Sequence, residues 1–397
     1  MISSIRERYN QQFSKEQYLS FLSALDNIHP GSLQFRVAET PVFVGKAFGQ
    51  KIISACENII DIILQPDFIS KTENAIPPGE RVPLESSFPQ MLCFDFAVCR
   101  NENGELEPQL IEMQGFPTMY AFQAFFPDLL RKYFDIPSNF SHYFNGLDTE
   151  SYLKLLKETV VGDCLPEEVV LLEVKPYEQK TLIDFLMTKD ALGIELVCIT
   201  ELIAENGNLF YKKDGRLIQI KKIYNRIIFD ELHAQRKSLG EIVDLTQPYN
   251  VEWIPHPNWF YRVSKFTLPL IQHPFVPETH FLSEIKHWPT DLSEYVLKPL
   301  FSFAGQGVKI DLTLEDLNAI KDPSNYILQK KVKYADIIAT PDGPAKTEIR
   351  MMYLWKQNDP RPIPVTNLAR LSKGKMIGVR YNADKEWVGG TVAFFEQ

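Results

Sequence analysis

The chain has 397 residues, 45% of them hydrophobic and 23% charged, with a formal net charge of −9. That composition is ordinary for a soluble globular protein, and the length suits two or three domains or one elaborated α/β unit. The negative balance argues against generic nucleic-acid binding, because a phosphate backbone wants a basic face. Five cysteines (Cys56, Cys93, Cys99, Cys164, Cys198), scattered and never spaced C-x-x-C, imply neither a disulfide framework nor a zinc site and suit a reducing cytoplasm. The polar first residues do not read as a signal peptide, and no apolar run approaches the ~18 residues of a membrane helix.

Residues 1–90 read as mostly helical. Apolar residues recur at helical spacing over Glu16–Leu25, stopped near His29-Pro30-Gly31, and again over Val44–Leu64, where Ile52, Ile53, Cys56, Ile59, Ile60 and Ile63 form a stripe. Arg36 and Lys46 read as surface charge. A polar, Pro-containing segment, 71–90, leads into two β-rich runs, Phe94–Val98 and Leu110–Gln114, around an Asn103-Gly104 turn. Period two puts Leu110, Glu112 and Gln114 on one face of this hairpin and Ile111 and Met113 on the other. Asp95 on the partner strand can face the same way, giving three oxygen groups of the kind Mg²⁺ accepts beside phosphate and water. The plainer alternative is an edge hairpin whose polar face meets solvent. Met119–Tyr133 then reads as an aromatic helix and residues 136–148 as a linker.

From about 151 the texture alternates. A helix over Glu150–Val160, a strand over Val169–Val174, a helix over Gln179–Leu192 and a strand over Ile194–Ile199 suggest a βαβ unit with a parallel sheet. A hairpin on Lys213-Asp214-Gly215 and a short strand Ile223–Arg226 follow, then a helix through Ser264-Lys265-Phe266. Glu294–Ile310 reads as strand, loop with Gly305 and Gly307, strand. Further strands are expected over Tyr326–Val332, Thr347–Leu354 and Thr366–Ser372, and a short one after Gly389-Gly390. The domains expected are 1–90 (helical), 91–150 (hairpin and helix), 151–255 (βαβ) and 256–397.

Lys298, followed by a glycine loop, could clamp nucleotide phosphates: the lysine supplies charge and the glycines let backbone N–H groups approach. It is neither a P-loop nor a Rossmann fingerprint, and a plain turn is the competing reading. Gln329 ends an apolar strand where it could meet an adenine edge. Arg350 and Arg370, each among apolar neighbours, could meet a transferring phosphoryl group. Glu348, two residues from Arg350, could instead hold it in an ion pair.

The order of these pieces resembles the ATP-grasp superfamily, in the circularly permuted branch that contains eukaryotic-type glutathione synthetase and glutathionylspermidine synthetase. FDF followed by PQLIEMQG is similar to that branch's metal-binding strands, LLEVKPYEQ and KKIYNR to its substrate-side strands, YVLKPLFSFAGQGV to its Lys-Pro and glycine-rich loop, YILQKKV to its adenine-side hinge, and NLARLSKG to its late arginine strand. The resemblance covers residues 90–397. It implies an α/β (α+β) ATP-grasp fold with a βαβ substrate-side domain and a helical N-terminal segment. By the same resemblance Asp95, Glu112 and Gln114 would hold Mg²⁺. Lys265 and Lys298 would contact ATP phosphates under a loop of Gly305, Gln306 and Gly307, and Gln329, Lys330 and Val332 would line the adenine pocket. Arg226, Arg350 and Arg370 would serve catalysis, and Glu173, Lys175, Gln179 and Arg226 would face the substrates.

The implied reaction joins a small-molecule carboxylate to an amine through an acylphosphate, in the cytoplasm, with no nucleic acid or membrane partner; a homodimer is left open. The alternative is a degenerate ATP-grasp protein that binds nucleotide without ligating. Three departures from the branch stand out: Gln114 replaces its asparagine, Cys93 replaces an arginine that the spermidine-type enzymes carry, and the glycine loop has no acid.

Overall fold

The computed structural model describes residues 1–301, 307–374, 377, 382 and 384–397. It is a mixed α/β protein whose described residues form five sheets. The apolar stripe over 44–64 makes the long helix Lys46–Ile63. Ile52, Cys56, Ile59, Ile60 and Ile63 are buried, against the second hairpin strand on one side and the strand Ala393–Glu396 on the other. That last strand pairs in parallel with Val42–Val44, so residues 42–44 and 393–396 share a sheet. A helix over Ser3–Gln12 precedes these elements; its weak amphipathicity left no periodic signal to read.

The hairpin, Met91–Arg100 and Leu106–Gln114, joins an antiparallel five-stranded sheet. Its order is Gly389–Thr391, Ile363–Ser372, Lys346–Leu354, Met91–Arg100, Leu106–Gln114. The segments 91–150 and 256–397 thus share one sheet. Both faces of Met91–Arg100 are covered. Leu92, Phe94, Phe96 and Val98 enter one core with the helix Lys46–Ile63, while Met91 and Cys93 enter a second core with the helix Phe122–Tyr133. An edge hairpin bathed in solvent is therefore not what forms. On the second face Asp95 is the polar residue, and it lies beneath the floor of a cleft.

The βαβ reading corresponds to a parallel four-stranded sheet of Glu252–Ile254, Lys222–Asn225, Val169–Glu173 and Glu195–Cys198. The helix Leu182–Leu192 makes the crossover and ends on Gly193 at φ +77°, a left-handed stop natural to glycine. A third sheet sets Tyr326–Lys330 between Thr279–Phe281 and Tyr295–Pro299. The strand expected after the Lys298 loop is reduced to a single bridge, Leu297 to Lys309.

The polar segment 71–90 is tied down from one short helix, where Asn258 bonds Val82 and Glu85, Trp259 donates to the Ser86 carbonyl, and Arg262 makes the most bonds. Arg262, 1% exposed, ends the short helix Asn258–Arg262. It donates to both Glu85 oxygens, to Glu73 (3.0 Å), to the Ile69 carbonyl (2.7 Å) and to Thr72 (3.2 Å). The same helix meets the hairpin end at Gly115, where a Cβ would stand 2.5 Å from the Trp259 carbonyl oxygen. No side chain fits there, and the close approach fixes the hairpin beside the residues leading to Lys265.

Candidate functional site

A cleft of about 760 Å³ opens between the five-stranded sheet, the Tyr295–Pro299 sheet and the end of the parallel sheet. Its floor comes from register. Asp95 stands opposite Arg350 and Glu112, Glu348 opposite Arg370, and Cys93 opposite Gln114. Directly paired residues share a face of the sheet, so Arg370, Glu348, Arg350, Asp95, Glu112 and Gln114 form one polar patch.

The hairpin departs from strict alternation. Asp95 pairs with Glu112 but Phe96 pairs with Leu110, leaving Ile111 as a bulge. Leu110 and Met113 both become core, not Ile111 and Met113 as period two requires, and Leu110 parts company with Glu112. The bulge also frees the Ile111 carbonyl to accept from Lys298 Nζ (3.2 Å). That ammonium donates as well to Gln329 Oε1 (2.6 Å), whose amide in turn donates to Thr279 Oγ1 (3.0 Å). Gln329 is fully buried; its fixed amide orients Lys298 toward the floor.

Burial pushes the Lys298 ammonium down to about 8, against a smaller opposing pull from Glu112. A cation there loses its proton as pH rises through 8, and an anionic ligand would hold the proton on. An anion binding at Lys298 at pH 8 is accordingly expected to take up a fraction of a proton. Calorimetry of ATP binding in two buffers of different ionisation enthalpy reads this directly. Identical heats in both buffers would show that Lys298 does not titrate with the ligand.

Asp95 is placed differently from an open metal ligand. It is 1% exposed, and Arg350 grips it with Nε and Nη2, each at 2.5 Å, while Arg370 Nη2 adds a third bond at 3.0 Å. Burial alone would raise this carboxyl; Arg350 outweighs burial and holds it below the usual range. Glu348 takes Arg370 and accepts from Tyr334 (3.3 Å), so it pairs with Arg370 rather than with Arg350 as its spacing suggested. Glu112 lies 3.3 Å from Lys265. The donor set expected for Mg²⁺ therefore does not fit a hard dication as arranged: one carboxylate is saturated by guanidinium groups, one faces an ammonium, and Gln114 carries no charge. Among the described residues no group of three or more His, Cys, Asp or Glu could hold a metal ion.

At the other end of the cleft Arg226 lies over the rings of Phe116 (4.8 Å) and Phe185 (5.3 Å). It is buried, and its Nε and Nη1 find no hydrogen-bond partner among the described residues. Glu173 beside it accepts from the Val174 N–H (2.7 Å) and is pushed up to about 8 by burial, with Arg226 opposing. It is largely protonated at neutral pH. Its folded value exceeds the ordinary 4.5, so the folded state binds the extra proton and stability falls as pH rises from 4.5 toward 8. A Glu173→Gln variant, neutral throughout, is expected to gain on the wild type across that window in denaturant midpoints. A constant difference from pH 5 to 8 would mean Glu173 titrates normally.

Of the expected residues, Glu112, Gln114, Glu173, Gln179, Arg226, Lys265, Lys298, Gln329, Val332, Arg350 and Arg370 line the cleft. Asp95 lies beneath it. Lys175 and Lys330 do not line it: Lys175 sits at φ +48° and reaches back to Glu178 (3.7 Å), and Lys330 is solvent-exposed beside the strand end. Gly307 packs against Pro299 outside the lining, while Gly305 and Gln306 fall outside the described residues. Cys93 is core, its thiol between the Phe116 carbonyl and Tyr120, raised to about 11 by burial. Lys331, inside the expected 329–332 stretch, lines the cleft, and Tyr334 and Lys346 do so without having been foreseen. One residue of offset at the end of Tyr326–Lys330 decides that Lys331 rather than Lys330 turns inward, and strand periodicity does not reach past a strand's end.

No helix among the described residues is long and apolar enough to cross a membrane. No family model matches the chain, and no curated protein matches it. Among solved structures it resembles a glutathione synthetase-like effector from Globodera pallida in its apo form, with a TM-score of 0.59 and 10% sequence identity over 96% of this chain and 97% of that one. At that identity the likeness is one of fold, and it takes in nearly the whole of both chains.

Proposed function

We propose that the chain is an ATP-dependent ligase of ATP-grasp type, in the circularly permuted arrangement, joining a small-molecule carboxylate to an amine. The observation that carries this reading is the convergence of Lys265, Lys298, Arg350 and Arg370 with buried Gln329 in one cleft of a glutathione synthetase-like fold. ATP, as substrate, would phosphorylate the carboxylate and leave as ADP; attack by the amine would then release phosphate. Lys298, held by Gln329 and the Ile111 carbonyl, would meet phosphate oxygens. Arg370 lines the floor with more than a third of its side chain exposed and would approach the transferring group. Arg226, with two buried N–H groups that find no partner among the described residues, suits a carboxylate. Catalysis would rest on positioning and charge, and no step is routed through a metal, because the residues expected to hold one are engaged elsewhere.

A second reading, nucleotide binding without ligation, is favoured by one specific feature: Asp95 is closed off by Arg350 and Arg370. ADP release over a panel of small carboxylates, each with and without added amines, separates the two. Turnover that needs both additions supports the ligase. ATP binding with no ADP release across the panel supports the second reading and sinks the first.

A further inference from the structure

We propose that the cleft takes the polyphosphate of its nucleotide without a divalent cation, the guanidinium groups of Arg350 and Arg370 standing where a metal would otherwise bridge carboxylate and phosphate. This rests on the nucleotide reading above, common to both of its forms.

Asp95 is the carboxylate a metal would have to reach. Mg²⁺ demands about six oxygens at about 2.0–2.1 Å in near-octahedral geometry and sheds water reluctantly. To reach Asp95 it would have to displace a two-pronged guanidinium bond with both distances at 2.5 Å, and a further one from Arg370. The displaced cations would stay within the same buried patch, since Arg350 and Arg370 are register neighbours of Asp95 and Glu348. A dication would then face two guanidinium groups across a few ångströms of protein, where like charges are poorly screened.

The remaining lining points the same way. Eight basic side chains line the cleft against five acidic ones, so it already favours an anion over a cation. Two of the five acids, Glu112 and Glu348, are paired with Lys265 and Arg370, and a third, Glu173, is raised by burial and lies at the Arg226 end. Arginine presents a planar fork that matches phosphate oxygens as a metal's shell does, and it needs no dehydration of a dication. Arg370 also keeps a buried Nε without a hydrogen-bond partner among the described residues.

The test is calorimetric titration of ATP into the full chain at one ionic strength, once with EDTA and once with excess Mg²⁺. Dissociation constants agreeing within about threefold, a difference well under 1 kcal/mol, are expected. Binding about tenfold or more tighter with Mg²⁺ overturns the proposal and leaves the nucleotide reading standing. Absence of ATP binding in both buffers overturns the nucleotide reading and the proposal with it. An Arg350→Met variant, which removes two of the three guanidinium bonds on Asp95 and leaves the one from Arg370, is expected to convert the chain to Mg²⁺-dependent binding, with circular dichroism confirming its fold. If that variant does not fold, the wild-type comparison decides alone; if it folds and still ignores Mg²⁺, Asp95 is not what Arg350 withholds from the metal and the proposal fails.

Discussion

An Asp95→Asn variant is expected to lose about 3–5 kcal/mol of folding stability, the usual cost of stripping one partner from a buried ion pair. The reason is local. Arg350 is paired through two bonds to Asp95 in a place where its side chain is only 10% exposed, so the amide leaves a guanidinium without a counter-charge. Arg370 retains Glu348 and suffers less. The sharper test is the double replacement Asp95→Leu with Arg350→Met, which removes both charges and is expected to recover most of the loss. Urea denaturation of the three proteins reads the result. If Asp95→Asn stays within about 1 kcal/mol of wild type, the pair is not formed in solution, and the reasoning about the cleft floor goes with it.

The second large effect belongs to Arg262. Arg262→Ala deletes bonds to Glu85, Glu73, Thr72 and the Ile69 carbonyl together and leaves the largely buried Glu85 with only the half-exposed Arg81, at 3.4 Å, as a cation. A loss of about 3–5 kcal/mol is expected here too, with a signature the first variant lacks. Segment 71–90 comes loose, so limited proteolysis should cut there first. Arg262→Lys keeps the charge but not the fork and should recover less than half of the loss. The pair also sets a pH dependence. Burial raises the Glu85 carboxyl, but Arg262 outweighs burial and leaves it lowered. Its contribution is therefore complete above the unfolded carboxylate value and fades as pH falls through the folded one. An Arg262→Ala protein cleaved no faster in 71–90 than wild type would show that other contacts hold the segment.

The sequence was legible where one face decides everything. The isoleucine stripe of 52–63 could only be a helix buried on one side, and Val169–Val174 and Ile194–Ile199 around a helix could only be a crossover. It was less legible where geometry turns on a single residue. The bulge at Ile111 reverses part of a strand's alternation, yet any residue can occupy a bulge, and Ile111 itself gives no sign of it. Lys298, Lys265, Glu112 and Arg370, singled out from residue type and from the family resemblance, line one cleft. What they do to one another was not readable. Arg350 was set beside Glu348 by spacing, whereas its partner is Asp95, 255 residues away. Side-chain pairing across strands follows register, and register between strands so distant leaves no local trace. The aspartate that looked most like a metal ligand was the least free, for that reason.

The pairing of Val42–Val44 with Ala393–Glu396 has a consequence for how the protein is made. Thr391 reaches back to the Thr40 carbonyl over 351 residues, and Ala38 bonds Gly390 beside it. The helix Lys46–Ile63 packs one flank on that last strand. A nascent chain thus carries an exposed strand edge and one uncovered flank of its isoleucine helix until residues 393–396 are made, the condition in which partly folded chains stick to one another. At roughly 5–20 residues per second on the ribosome, that exposure lasts on the order of twenty seconds or more. Helices can form early, but the layer they belong to closes only when residues 393–396 arrive. Loss of those four residues would therefore cost far more than their number suggests, because it would leave the beginning of the chain without its partner.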